Sequence, residues 1–225
     1  MTYHLDLEGF SLESFAHILQ TEPLLPSQKV LKEDVEARFA ILASRGLYNL
    51  KDLLTALSTK KKIEQFAQRS GLSPAYLTIL RRRAGIYTPD PVALDKFPGF
   101  APEHIQSLAA LGIKDSRQLF ERACSLPSRA ELSAAAHVPE DVLLELVKLC
   151  DLVRAPYVGA VWARLFYEAG ADTLEKLAAS QPEQLHANLQ AANDRCHLTK
   201  SSIPSVQDLT ASLAIYRLIP FLAEY

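Results

Sequence analysis

Gly46, Gly112 and Gly170 anchor an internal repeat, and this repeat constrains the fold of the chain more than any other feature. In each copy an apolar residue lies four positions before the glycine, a good helix N-cap three positions after it, and a leucine seven positions after it: Leu42, Asn49 and Leu53; Leu108, Asp115 and Leu119; Phe166, Thr173 and Leu177. The pattern predicts a helix that ends at a left-handed glycine, a short link, and a second, capped helix.

The copies set the predicted organisation of the chain. The first two copies stay in register at an offset of 66 residues, and the third begins 58 residues after the second. Each of the first two copies should carry a second helix pair: Ile63–Ser70 with Pro74–Arg83, and Ala130–Ala136 with Pro139–Leu149. The predicted parts are an N-terminal arm at 1–29 with a short helix after Ser11, repeat 1 at 30–90, repeat 2 at 91–150, and repeat 3 at 151–225 with a capping helix.

The spacing of the apolar residues predicts an all-α fold. Apolar residues recur every three or four positions, and alternating Val/Ile/Thr stretches are absent. Ser73-Pro74 and Ala101-Pro102 are typical of helix starts, and Ser128 with Glu131 has the spacing of a capping box. With 48% hydrophobic residues, the chain can bury a substantial core. We expect one compact or gently extended array of helical repeats.

Composition and cysteine usage limit the class of protein. The formal net charge of -2 argues against a strongly cationic nucleic-acid binder as a description of the whole chain. Cys124, Cys150 and Cys196 are odd in number and lack C-x-x-C spacing, which favours a reducing cytosol over a disulfide framework. The first residues lack a basic and then apolar leader, and no apolar run approaches about 18 residues. These observations predict a cytoplasmic protein without a membrane partner.

Two short hairpin sequences precede the glycine-ended helices of the second and third copies. They are Phe97-Pro98-Gly99-Phe100-Ala101 and Ala155-Pro156-Tyr157-Val158-Gly159, again 58 residues apart. Together with the sequence from Trp162 to Ala178, they resemble a bacterial family of unknown function built from tandem helix-hairpin-helix units. The resemblance implies a bundle of short helix pairs. It also implies that hairpin amides, at Gly99 and Gly159, hold a nucleic-acid phosphate without sequence preference.

The hairpins depart from the helix-hairpin-helix pattern at several positions. Ala101 replaces the second glycine of one hairpin and is followed by Pro102, which has no N–H to donate. Tyr157 replaces the first glycine of the other hairpin, and no glycine lies near Asp34 in the first copy. Gly99 and Gly159 are therefore open to a second interpretation, as residues of tight turns between packed helices.

The near-neutral net charge conceals a basic cluster. Residues 58–85 contain seven basic side chains and one acidic side chain, a net charge of +6. Lys60, Lys61 and Lys62 should precede the first helix of a pair, and Arg81, Arg82 and Arg83 should end the second. If the two helices are antiparallel, six cations converge at one end. Together with Arg154 beside the second hairpin, these residues are candidates for anion or nucleic-acid binding, although a solvated surface is the alternative.

No catalytic or metal-ligating pattern is present in the sequence. The six histidines lie far apart, Cys196-His197 has no local third ligand, and no phosphate-loop or nucleophile-elbow motif occurs. Trp162 and Phe166 have the spacing of a core stripe. We therefore expect a non-enzymatic helical interaction module without cofactor or metal, binding a protein partner. Sequence-independent binding of DNA or RNA through the hairpins and the basic cluster is the alternative function.

Overall fold

A computed structural model describes residues 3–21, 24 and 26–225 of the chain. All regular secondary structure in these residues is helical, apart from two isolated bridges, Ser11–Asn49 and Ala93–Asp115. The all-α class predicted from the sequence is confirmed. In the same residues, no helix has the length and apolar character needed to cross a bilayer.

The chain divides into two compact units. The N-terminal unit is Leu5–Tyr87, and the C-terminal unit is Thr88–Tyr225 together with Met1–His4. The predicted arm at 1–29 is thus divided between the units, and its residues 1, 2, 22, 23 and 25 lie outside the described part of the chain. The regions predicted as repeats 2 and 3 fall entirely within the C-terminal unit.

In its described residues, the N-terminal unit contains five α-helices and two short 3-10 helices, Pro26–Lys32 and Gly85–Tyr87. The α-helices are α1 (Leu12–Thr21), α2 (Val35–Ser44), α3 (Leu50–Ala56), α4 (Lys60–Ser70) and α5 (Pro74–Ala84). The predicted helix after Ser11 is α1. The core consists of fully buried residues such as Phe15, Leu42, Leu53 and Leu77. Each such leucine stabilises the fold by about 1.5–3 kcal/mol relative to an exposed one.

The C-terminal unit contains a 3-10 turn at Leu94–Lys96 and eight α-helices in its described residues. They are α6 (Pro102–Ala110), α7 (Ser116–Ala123), α8 (Leu126–Ala136), α9 (Glu140–Leu152), α10 (Ala160–Glu168), α11 (Leu174–Ala179), α12 (Pro182–Cys196) and α13 (Val206–Tyr216). Helix α9 has the largest number of buried residues among them, and Leu143, Val147 and Cys150 are fully enclosed. It packs against α7 and α10, so side chains on α9 can reach both helices.

The three anchor glycines share one local geometry, as their spacing predicts. Gly46, Gly112 and Gly170 have φ values of 81°, 83° and 88°. Only a residue without Cβ adopts this conformation at little cost. Three residues later, the side chain of Asn49, Asp115 or Thr173 accepts a hydrogen bond from the third amide of the next helix. The predicted caps at both ends of the link are confirmed.

Two predicted helix starts are displaced by caps that lie earlier in the sequence. Helix α4 begins at Lys60 rather than Ile63, because the Thr59 hydroxyl accepts a hydrogen bond from the Lys62 amide. Helix α8 begins at Leu126, because Ser125 is its N-cap. The capping box joins Ser125 to Ser128, so the predicted box that began at Ser128 is wrong.

Candidate functional site

The predicted lysine triplet lies in the first turn of α4 and is exposed to solvent. Lys60, Lys61 and Lys62 all have exposed side chains, and the Lys62 ammonium donates to the Thr55 carbonyl at 3.2 Å. Their position is helical, which corrects the expectation that they precede the helix. Three cations at a helix N-terminus oppose the helix dipole, so the fold gains nothing from their charge there.

The arginine triplet at the end of α5 is divided between the surface and the interior. Arg81 and Arg82 are exposed, whereas Arg83 is 5% exposed and belongs to the buried face of α5. Arg83 is therefore not accessible to an anion from solvent. The helical period explains the difference, because Arg83 follows the buried Leu80 by three positions.

Five candidate cations thus remain accessible on α4 and α5, which pack against each other. We call Lys60, Lys61, Lys62, Arg81 and Arg82 the basic cluster. In the described part of the chain, none of the five forms an ion pair with a carboxylate. The convergence of the two groups at one end of the helix pair stays a prediction.

The first hairpin is held from inside by a buried arginine. Gly99 has φ 94°, and the preceding Pro98 carbonyl accepts hydrogen bonds from Arg164 Nε at 3.1 Å and Nη2 at 2.8 Å. A Cβ at position 99 would lie 2.8 Å from Arg164 Nη2. Glycine is needed here for a left-handed turn and for the close approach of the guanidinium. The interpretation of Gly99 as a turn residue fits this geometry, and its assignment to an anion site is not supported.

The second hairpin has a different residue in the left-handed position. Tyr157, which corresponds to Gly99, has φ 67° and is 61% exposed. Gly159 is the extended N-cap of α10, with φ -89° and ψ 178°, and no side chain caps this helix. Gly159 is exposed, and open space surrounds the position of its missing Cβ. Anion binding at Gly159 remains a prediction.

Arg154 is not accessible to an anion from solvent, because it is 1% exposed and its guanidinium is partnered inside the C-terminal unit. Its Nη1 donates to Asp151 at 2.5 Å, its Nε to the Tyr3 carbonyl at 2.8 Å, and its Nη2 to the Pro220 carbonyl at 2.6 Å. Its guanidinium also lies 4.6 Å from the centre of the Phe120 ring. The other Asp151 oxygen accepts from the Leu174 amide, so the buried charges are fully partnered.

An open groove of about 610 Å³ lies between α6, α7 and α8 of the C-terminal unit. Ile113 and Leu132 form its buried floor, and Leu111 and Ala135 are exposed beside them. Its charged and polar lining residues are Glu121, Arg122, Ser128 and Glu131. We call this site the α8 groove. Sequence reasoning missed it because its residues come from the α6–α7 link and from two helices, although Leu111 adjoins the predicted helix end at Gly112.

Chemistry-bearing groups do not gather in the described part of the chain. No three His, Cys, Asp or Glu residues there lie close enough to hold a metal ion. Burial raises the pKa of the Cys150 thiol well above its ordinary value, and nearby Asp151 acts in the same direction. This thiol therefore stays protonated and is a core residue rather than an activated nucleophile.

Comparison with known proteins identifies one similarity. A family model described as "Domain of unknown function (DUF4332)" matches residues 98–211, which is half of the chain. The match begins at the first hairpin and ends within α13, so it falls inside the C-terminal unit. No curated protein and no solved structure matches the chain.

Proposed function

We propose that this chain, which belongs to the DUF4332 family, is a non-enzymatic helical interaction module that binds a protein partner. In this proposal three related helix-hairpin-helix-like units provide the scaffold, and the α8 groove receives the partner. The observation that carries the proposal is the exposure of apolar side chains beside this groove, within the half of the chain that defines the family.

The shape and lining of the α8 groove suit a protein segment. Leu111 is 49% exposed, although the neighbouring floor residues Ile113 and Leu132 are buried. An apolar floor within a charged rim is the usual arrangement at the centre of a protein interface. A volume of about 610 Å³ accommodates a few apolar side chains projecting from one face of a partner helix.

Two adjacent alanines of α8 allow a matched test of the proposed groove. Ala134 and Ala135 are both exposed, but only Ala135 lines the groove. We expect Ala135→Glu to abolish capture of the partner from a native extract, measured by quantitative mass spectrometry, because it places a carboxylate on the apolar lining. Ala134→Glu makes the same chemical change outside the groove and should leave capture within about twofold of the unmodified chain. Equal capture by both variants would refute the groove.

The basic cluster supports a second candidate function, sequence-independent binding of DNA or RNA. Elsewhere in the chain, exposed cations such as Lys51 and Arg117 pair with carboxylates, here Glu8 and Glu121. The five accessible cations of the basic cluster have no such partners among the described residues, so their charge is available to phosphates. Release of counterions from the nucleic acid would then supply the binding free energy.

A salt titration tests the nucleic-acid function. We expect a generic DNA duplex to bind at low salt and to dissociate steeply as salt rises, and we expect the triple substitution of Lys60, Lys61 and Lys62 by Glu to abolish binding. Fluorescence anisotropy measures both. The control replaces Lys29, Lys114 and Lys200 by Glu, which changes the net charge equally. All three lysines are exposed and lack carboxylate partners in the described residues. Absence of binding at low salt removes this candidate function.

A further inference from the structure

Residues 220–225 form an extended segment that lies on the C-terminal unit without joining a helix or sheet. The Glu224 amide donates to the Cys124 carbonyl at 2.8 Å, and the Leu126 amide donates to a Glu224 carboxylate oxygen at 3.4 Å. The segment therefore lies along the α7–α8 junction, and its carboxylate reaches the first turn of α8. An anion is favoured at that end of a helix.

A buried arginine depends on this segment for one of its acceptors. Arg129 is 5% exposed, and its guanidinium donates to the Ala123 carbonyl at 3.2 Å and to the Glu224 carbonyl at 2.9 Å. Among the described residues, no carboxylate forms an ion pair with it. An ionised guanidinium is costly to bury without hydrogen-bond acceptors. Any segment that covers Arg129 therefore has to offer it a main-chain carbonyl.

A second buried arginine binds the same segment four residues earlier. Arg154 Nη2 donates to the Pro220 carbonyl at 2.6 Å. Two buried guanidiniums thus recognise two carbonyls of an extended backbone, and carbonyls are present in any peptide. Side-chain preference comes from the Glu224 carboxylate at α8 and from Tyr225, whose ring centre lies 5.7 Å from the Lys148 ammonium.

The outer face of the segment remains exposed to water. Phe221 is 49% exposed and Tyr225 is 42% exposed, whereas Ile219, just before the segment, is 4% exposed. A short segment attached through a few hydrogen bonds opens at a lower free energy than the core beneath it. Ile219 is therefore the last residue fixed in the core, and residues 220–225 can detach from the surface.

We propose that the surface formed by Cys124, Leu126, Arg129, Lys148 and Arg154 is a recognition site for an extended peptide of a partner protein. The partner peptide carries an acidic residue followed by an aromatic one, and residues 220–225 occupy the site in its absence. This inference rests on the proposed protein-binding function but concerns a surface distinct from the lining of the α8 groove. The internal occupant competes at millimolar effective concentration, so only a partner with better contacts displaces it.

Peptide binding to the full chain tests the proposal. The probe is a fluorescein-labelled nonapeptide with the sequence of residues 217–225, and the receptor is the full-length chain with residues 220–225 replaced by six Gly and Ser residues. We expect this receptor to bind the probe at least about tenfold more tightly than the unmodified chain, because the Gly/Ser segment lacks the Glu224 and Tyr225 side chains and competes less well. Arg129→Met in the same receptor should reverse the gain.

A matched probe separates recognition from non-specific adhesion. The control nonapeptide has Lys at the position of Glu224 and Ala at the position of Tyr225, and we expect it to bind at least about tenfold more weakly. Equal binding of the two probes, or no binding to a receptor that keeps its helical circular dichroism, would overturn the proposal. Ala135→Glu should leave probe binding unchanged, so failure at the α8 groove and failure here are distinguishable.

Hydrogen exchange in the unmodified chain tests the proposal even if the Gly/Ser variant misfolds. We expect the Glu224 amide to exchange by local opening, at a rate that is insensitive to low denaturant and much faster than that of the buried Leu149 amide. Excess unlabelled nonapeptide should not slow the Leu149 amide. Exchange of both amides at one common rate, through global unfolding alone, would show that residues 220–225 are a fixed part of the core.

Discussion

Two groups of basic side chains, one in each unit, differ in where they lie and in what they contact. In the N-terminal unit, Lys60, Lys61, Lys62, Arg81 and Arg82 project into solvent without carboxylate partners in the described residues. In the C-terminal unit, Arg129, Arg154 and Arg164 are buried and donate to main-chain carbonyls. Cations of the first kind are open to an anion from solvent, whereas those of the second kind bind main-chain carbonyls of a hairpin and of residues 220–225.

The contrast also bears on how the family half of the chain functions. At the first hairpin, where a helix-hairpin-helix motif would offer amides to a phosphate, the Pro98 carbonyl is turned towards Arg164 instead. The guanidinium is partnered by Glu145 at 2.6 Å and Glu168 at 3.5 Å. Because Arg164 holds this hairpin from inside, the hairpin contributes to the scaffold. The α8 groove is then the candidate binding surface of the C-terminal unit.

The largest effect is expected from removing a buried arginine. Arg154→Ala leaves Asp151 as an uncompensated buried carboxylate and should lower the free energy of unfolding by about 3–5 kcal/mol. Arg82→Ala, at an exposed position, should change it by less than about 0.5 kcal/mol. Chemical denaturation measures both. A cost below about 1 kcal/mol for Arg154→Ala would remove the distinction between the two classes of arginine.

An intermediate effect is expected from the hairpin glycines. Gly99→Ala imposes a Cβ on a left-handed residue and against Arg164, and should cost about 1–3 kcal/mol. Gly159→Ala, in open space at φ -89°, should cost at most about 1 kcal/mol as a change of N-cap. Thermal unfolding compares the two variants. The distinction between a glycine packed against Arg164 and a glycine with open space at its missing Cβ breaks down if Gly159→Ala is the more damaging substitution.

The smallest effect is expected from a half-buried ion pair of the C-terminal unit. Burial acts to raise the pKa of Asp172, but hydrogen bonds from Lys148 and Lys176 outweigh it and hold the pKa below the usual 3.8. Because the folded pKa is the lower one, this stabilisation is present above about pH 4 and is lost as pH falls through the folded pKa.

Lys148→Met should therefore lower the free energy of unfolding at pH 7 by about 0.5–1 kcal/mol. The difference from the unmodified chain should shrink as pH falls below 4, whereas Lys114→Met, at an exposed lysine, should show little effect at any pH. Urea unfolding at a series of pH values measures the trend. A difference that grows on acidification has the wrong sign for this account.

Local features of the fold were predictable from the sequence because they depend on neighbouring residues. Gly112 is left-handed and Asp115 is an N-cap, and the two residues are only three positions apart. Both features therefore belong to one short turn between two helices. Arg83 could have been placed inside by extending the apolar period from Tyr76 through Leu80. The same apolar period leaves Arg81 and Arg82 on the exposed side of α5.

The roles of Arg154 and the α8 groove depend on contacts distant in sequence. Arg154 binds the carbonyls of Tyr3 and Pro220, which lie 151 and 66 residues away, and its own neighbourhood gives no sign of either. Ala134 and Ala135 are adjacent and chemically identical, yet only one lines the groove. Such differences arise when helices pack, and a single sequence does not encode them locally.

The most direct test of the central claim is a comparison of partner capture after nuclease treatment of the extract. The measurement uses four proteins: the unmodified chain, Ala135→Glu, Ala134→Glu, and the triple variant with Glu at positions 60, 61 and 62. The account predicts that one protein partner is retained by the unmodified chain, by Ala134→Glu and by the triple variant, and is lost only by Ala135→Glu. Loss of the partner in the triple variant, with full retention by Ala135→Glu, would contradict it and would place the binding surface on the basic cluster.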